Sequence, residues 1–175
     1  MLNLMLLRHA KASELKTGRE DIDRPLTGRG KRAAMAMGHY MKANGLVPGL
    51  VLCSPAVRAK GTWDLVAKEL GASPKVLFEQ AIYDFGDGEE LLNSVRRHAK
   101  NEKSVLLVGH NPSTKGLALR LAHKGDKKIR GRLETKYPTA ALAVIKLDVG
   151  SWAAVAEGSG TLARFVRPRD IMDGP

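Results

Sequence analysis

A chain of 175 residues that is 43% hydrophobic and 27% charged can bury one core, so a single domain over residues 1–175 is expected and disorder is not. Its one cysteine, Cys53, excludes an internal disulfide and a cysteine-rich zinc site. The formal net charge of +11 favours acidic or phosphorylated partners, but aromatic residues are only 5% and no helix-turn-helix, zinc-finger or RNP pattern occurs, so nucleic acid is not the expected partner.

Residues 2–7 are an apolar run too short for a helix and read as a buried strand. The run stops at Arg8, far short of the about 20 residues a membrane span requires. It is not preceded by a basic segment or followed by a small-residue cleavage site, which predicts a cytoplasmic chain without a secretory signal. Residues 11–25 are polar and read as loop. Thr27 then reads as an N-cap, with Ala33, Met37, Tyr40 and Met41 at helical spacing until Gly45 and Pro48. Leu50 to Cys53 is a second short strand. Ser54-Pro55 predicts a helix with Pro55 at its first position, and Ala59, Trp63, Val66 and Leu70 give that helix its apolar face. Val76 to Phe78 is a third strand, and a helix opens at Gly86 to Glu90 and runs to His98.

Ser104 to Val108 is fully apolar and rich in β-branched residues after its first position, as buried parallel strands are. Gly109 to Pro112 turns the chain into a helix over Ser113 to Ala122. The basic stretch from His123 to Lys136 reads as a mobile loop, with a secondary reading as a docking patch for an acidic partner. Ala140 to Leu147, Trp152 to Ala156 and Leu162 to Val166 read as strands, the last two at a sheet edge. The alternation predicts an α/β fold, three layers with a mainly parallel central sheet.

In such a sheet, ligands bind beyond the carboxyl ends of the strands. Arg8-His9 follows the first strand, Ser54-Pro-Ala-Val-Arg58 the second, and Gly109-His110 the strand from Ser104. Two guanidinium groups can grip a phosphoryl group bidentately. One neutral imidazole can attack phosphorus, and the other can stabilise charge as it shifts onto oxygen. Neighbouring arginines would depress the histidine pKa and keep the nucleophile neutral at pH 7.

Leu7-Arg-His-Ala10, Asp23-Arg-Pro-Leu-Thr27, Ser54-Pro-Ala-Val-Arg-Ala59 with Thr62, and Val108-Gly-His-Asn-Pro112 together resemble the histidine phosphatase superfamily, the branch shared with cofactor-dependent phosphoglycerate mutases. Tyr137-Pro-Thr-Ala-Ala-Leu and Arg167-Pro-Arg-Asp170 resemble its short SixA-type phosphohistidine phosphatases. The glycine that usually follows the nucleophile is Ala10 here. The resemblance implies His9 as nucleophile, with Arg8, Arg58 and His110 completing the phosphate pocket. Ser13 and Thr139 are candidate pocket-lining residues. It also implies a phosphatase that needs no metal or cofactor and releases inorganic phosphate.

Between Arg58 and His110 the chain must hold two strands and most of two helices, which leaves no room for the helical cap of larger relatives. An open pocket suits a phosphorylated side chain on a protein, so phosphohistidine on a protein is the expected substrate. A small phosphorylated metabolite is the alternative, and a non-catalytic phospho-ligand or nucleic-acid binding module is the rival of another class. Glu79, Asp84 and Asp87 are candidates for a general acid, none at a diagnostic spacing. A leaving imidazole, with a conjugate acid of pKa about 6.5, needs less help than an alkoxide. His39, His98 and His123 read as structural or surface residues, and Cys53 as a buried strand residue, because the interval to Ala59 lacks the glycines and arginine of a thiol phosphatase loop.

Overall fold

The run Leu2–Arg8 forms β1 at the centre of the sheet in a computed structural model of the chain, which describes residues 1–172. Its neighbours are β4 (Ser104–Gly109), parallel to it, and β6 (Leu142–Leu147), antiparallel to it. Further out lie β2 (Leu50–Cys53) and β3 (Lys75–Phe78) on one side, and β7 (Gly160–Val166) and β5 (Ala122–Gly125) on the other. The order is β3-β2-β4-β1-β6-β7-β5. Every strand except β6 runs in the direction of β1.

Alternate residues of each strand feed two cores. Met5, Leu7, Val51, Cys53, Leu106 and Val108 meet Met37 and Met41 of α1 (Gly28–Ala43) and Trp63, Val66 and Leu70 of α2 (Val57–Leu70). Leu4, Leu6, Leu52, Val105 and Leu107 face the other way. There they meet Leu91 and Val95 of α3 (Glu89–His98), Leu117 and Leu121 of α4 (Ser113–Leu121) and Leu133 of α5 (Lys127–Thr135). Burial on both faces is why these strands read as continuous apolar runs. Each such side chain contributes about 1.5–3 kcal/mol of transfer free energy. A short α6 (Pro168–Ile171) ends the described chain. Among the described residues the mixed sheet with helices on both faces carries no separate cap domain, as the spacing between Arg58 and His110 required.

Four expectations are corrected. Residues 123–136 are not a loop: Ala122–Gly125 pairs with β7, and Lys127–Thr135 is α5. The Asp126 carboxylate caps α5 by accepting from Ile129 N at 3.0 Å. Only Ile129 and Leu133 face the core, a stripe too narrow to stand out among six cations. Residues 152–156 do not form a strand. Trp152–Ala154 is a single 3-10 turn, drawn inward because Trp152 Nε1 donates to Glu102 O at 2.6 Å. Pro55 does not open the second helix, which begins at Val57 after an extended Ala56. Leu162 to Val166 does not lie at the sheet edge, because β7 is paired on both sides, with β6 and with β5. The helix expected to open at Gly86 to Glu90 does so, at Glu89, after a Gly88 whose left-handed φ of 101° Cβ-bearing residues disfavour.

Candidate active site

The parallel strands β1, β2 and β4 end level with one another. Arg8 pairs with Gly109, and Cys53 with Val108. His9 N then donates to Gly109 O, and Ser54 N to Val108 O, both at 3.0 Å. These bonds bring the residues after three strands to one edge. Ala140, held at φ 61°, donates its N–H to the carbonyls of both Arg8 and His9 and fixes that segment from the far side. The first turn of α2 delivers Arg58 to the same place.

Arg58 is the hub and is only 2% exposed. Its Nε donates toward His9 Nε2 at 3.4 Å, and its Nη2 lies 3.3 Å from His110 Nδ1. The His9 and His110 ring centroids are 5.1 Å apart. On its other side the guanidinium donates to Asp21, through Nη1 to the carbonyl at 2.7 Å and through Nη2 to Oδ2 at 2.9 Å. Asp21 thus leaves the Nε–Nη2 edge turned toward the two imidazoles. Such an edge has two parallel N–H donors, able to hold a phosphoryl group bidentately. The Asp21 carboxylate also accepts from Tyr83 OH at 2.6 Å and from Arg24 Nη1 at 3.0 Å. Arg24 Nε donates in turn to Ser13 O at 2.7 Å.

The proton positions follow from the partners. His9 Nδ1 lies 2.7 Å from Ala10 O and donates to it, which leaves the lone pair on Nε2. His110 Nε2 lies 2.7 Å from Ser54 Oγ, a hydroxyl able to accept or donate and so to serve either imidazole tautomer. Arg8 Nη1 donates to Tyr137 O at 3.0 Å, joined there by Asn111 Nδ2 at 2.9 Å. Arg8 Nε is buried and has no hydrogen-bond partner among the described residues. An anion oxygen would satisfy it, since a buried unpaired donor is costly.

Burial, reinforced by Arg58, Arg8 and Arg24, pushes His9 down to about 4. Burial, with His9 and Arg58, pushes His110 down to about 3. Both rings are therefore neutral at pH 7. Partial burial alone would raise the Asp21 carboxyl; hydrogen bonds from Tyr83, Arg24 and Arg58 outweigh it and hold the group far below the usual carboxylate range. Burial lowers the Arg8 guanidinium and raises the Cys53 thiol, which lies inside the sheet with Sγ donating to Ser54 O.

The structure thus brings His9, Arg58 and His110 into direct contact and sets Arg8 beside them. The candidate acids are engaged elsewhere. Glu79 bonds His98 at 2.7 Å, Asp84 Oδ2 accepts from Gly86 N, and Asp87 pairs with Arg120. Ser13 enters through its carbonyl. Thr139 lies on the turn that ends at Ala140. His39 pairs with Glu69 at 2.8 Å, and His123 is exposed beside Glu157. Among the described residues no group of three or more His, Cys, Asp and Glu side chains is arranged to hold a metal ion. No described helix is long and apolar enough to cross a membrane. A groove of about 730 Å³ lies at the opposite end of the sheet, between Asn3, Tyr40, Asn44 and Arg164.

Sequence reasoning missed Asp21 and Tyr83, and read Ser54 only as part of a helix start. Asp21 was legible only as an acid two residues before the Asp23-Arg-Pro-Leu-Thr27 motif. Tyr83 stands 62 positions from its partner Asp21 and carries no local pattern.

A family model described as the histidine phosphatase superfamily (branch 1) matches residues 4–93. The uncharacterized protein Rv1276c of Mycobacterium tuberculosis is 34% identical over 165 residues, 93% of this chain and 100% of that protein. A SixA structure from Agrobacterium tumefaciens superposes with a TM-score of 0.78 at 25% identity, covering 95% of this chain and 98% of the other. A structure of the protein histidine phosphatase SixA with tungstate covers 98% and 100%, with a TM-score of 0.77 and 22% identity, which speaks to the fold alone.

Proposed function

The chain belongs to the histidine phosphatase superfamily (branch 1), and from that premise we propose that it removes phosphate from phosphohistidine on a protein substrate, with His9 as nucleophile. The observation that carries the reading is the neutral, buried His9 Nε2 facing one edge of Arg58 together with His110. The SixA likeness and the lack of a separate cap support a side chain on a protein as the group admitted.

The chemistry favours a P–N bond. A phosphomonoester leaves through the oxygen attached to phosphorus, so its proton must arrive inside the pocket. Glu79 is paired with His98 and Asp87 with Arg120, Asp84 Oδ2 accepts from Gly86 N, and Asp21 is held ionised. A phosphorylated imidazole is protonated on its far nitrogen, out in solvent, at a pKa near 6.5. His9 Nε2 forms the new N–P bond as the substrate's N–P bond breaks. The bonding pair passes to the leaving ring, which departs as neutral imidazole. Water then attacks the phosphorylated His9, giving inorganic phosphate, and His9 returns to neutral. Arg8 and Arg58 hold the phosphoryl oxygens, and His110 steadies the charge shifting onto them.

Acid-labile, base-stable phosphate should be trapped on the peptide carrying His9 when the protein meets a phosphohistidine protein, and His9→Ala should release no phosphate. Chelator should leave the rate unchanged. Label on another residue overturns the assignment of the nucleophile. Faster turnover of unactivated phosphomonoesters than of phosphohistidine overturns the substrate class and favours a small metabolite.

A further inference from the structure

Phe85 is 47% exposed although it belongs to an aromatic cluster. Its ring centroid lies 5.0 Å from that of His110 at 39°, and 5.1 Å from Tyr83 in an edge-on contact of 85°. Tyr83 also meets His110 edge-on at 5.3 Å. The wall is fixed from behind. Tyr83 OH is bonded to Asp21, Asp84 O accepts from Ser113 Oγ at 2.7 Å, and Asp84 Oδ2 receives Gly86 N at 3.1 Å. The fold thus holds a large apolar ring half in water, against a histidine of a pocket otherwise built of charged and hydrogen-bonding groups.

An exposed aromatic face beside a reactive centre, held in place before any ligand arrives, suits a second planar ring. We propose that Phe85 is the residue that selects the leaving group, stacking against the planar ring attached to phosphorus. This deepens the phosphohistidine reading and rests on it for the identity of that ring, an imidazole. The phosphoryl group is gripped by Arg8, Arg58 and His110 whatever it is attached to, so discrimination falls to contacts made beyond phosphorus. Phe85 offers an imidazole a face and no hydrogen bond. It leaves the ring's far nitrogen in water, where its proton is exchanged. An aliphatic alkoxide gains little from such a wall.

The test compares ligands with and without a ring, because loss of packing against His110 would harm both alike. Phe85→Ala and the bulkier Phe85→Leu are assayed on N-phosphoimidazole and on phosphoramidate, whose leaving group is ammonia. KM for N-phosphoimidazole should rise about three- to ten-fold more than KM for phosphoramidate, the range expected for a lost aromatic pair, with kcat moving in parallel for the two. Equal changes for the two substrates in both variants overturn the proposal. Calorimetric titration with phenylphosphonate and propylphosphonate tests the same ring without turnover. Wild type should prefer the phenyl compound, and the variants should lose that preference. If the phenyl preference disappears in the variants while no P–N substrate is hydrolysed, Phe85 stands as a ring selector and the phosphohistidine reading falls. If P–N substrates are hydrolysed and the variants keep the phenyl preference, the reading stands and the role of Phe85 falls.

Discussion

Asp21 is the carboxylate whose contacts explain why Arg58 points as it does. Two of its oxygens take up one side of the guanidinium, at 2.7 and 2.9 Å, and the other side is left for the imidazoles. A bond between charged groups contributes about 1.5–3 kcal/mol, so Asp21→Asn, which keeps the shape and removes the charge, should lower kcat/KM about 10- to 100-fold. The loss should appear mainly in KM for small phosphorylated substrates, because Arg58 would swing from its binding edge. A steady-state comparison of the two proteins checks this; unchanged kinetics would mean Arg58 is aligned by α2 alone. Arg8, His9, Arg58 and His110 were legible in the sequence because each directly follows a strand or opens a helix, where local pattern and location coincide. Asp21 and Tyr83 were not. Their roles exist only through contacts 37 and 62 positions distant, and neither sits where a strand ends.

At the scale of elements, the pairing of α1 with α2 sets the position of Arg58, and Gly38 sets that pairing. A Cβ at Gly38 would lie 2.8 Å from Glu69 Cβ and 2.9 Å from Val66 O, closer than such atoms approach. Alanine in a helix interior gains about 1 kcal/mol over glycine in propensity, while overpacking costs about 1–3 kcal/mol. Backbone on one side of the contact cannot yield, so the second effect should win. Gly38→Ala should destabilise the protein by about 1 kcal/mol, read as a lower urea midpoint at constant slope. A gain in stability would show that the helices separate freely. The strands β1, β2 and β4 were legible as continuous apolar runs and the helices α1 and α2 from their apolar period, which in α1 agrees with the cap at Thr27, whose Oγ1 accepts from Gly30 N at 3.0 Å. The α5 segment was not legible, since a helix on two apolar anchors, Ile129 and Leu133, looks like loop in a basic sequence. The Trp152 turn was misread for a related reason: a short apolar run has no period long enough to tell strand from turn.

For the molecule as a whole, the neutral imidazole pair couples the chemistry to folding. Above pH 6.5 both rings are neutral in the folded and unfolded chain and contribute no pH dependence. Below it the unfolded chain binds protons that folded His9, pushed down to about 4, still refuses. Falling pH therefore favours unfolding over that window, by about 1.4 kcal/mol per pH unit for His9 once the pH is well below 6.5. The slope ends when folded His9 itself takes up its proton. Asp21 acts lower. Its folded carboxyl is depressed, so its contribution is intact above the unfolded carboxylate pKa near 3.9 and is lost only beneath it. Between pH 6.5 and 4.5 the histidines dominate among the groups of the site. Urea unfolding across that range should show wild type losing stability steeply, and His9→Gln should flatten the slope by about 1.4 kcal/mol per unit. With His9 as the proposed nucleophile, the same depression governs the rate, because an attacking imidazole must be unprotonated. The acid limb of kcat/KM, corrected for spontaneous hydrolysis, should fall near pH 4 and not near 6.5. A midpoint at 6.5, with identical stability slopes for the two proteins, would mean that the pocket admits water to His9 and that the arginines around it are screened. A midpoint near 4 with the flattened slope would tie both effects to one cause, the cost of burying a further cation beside Arg58, Arg8 and Arg24.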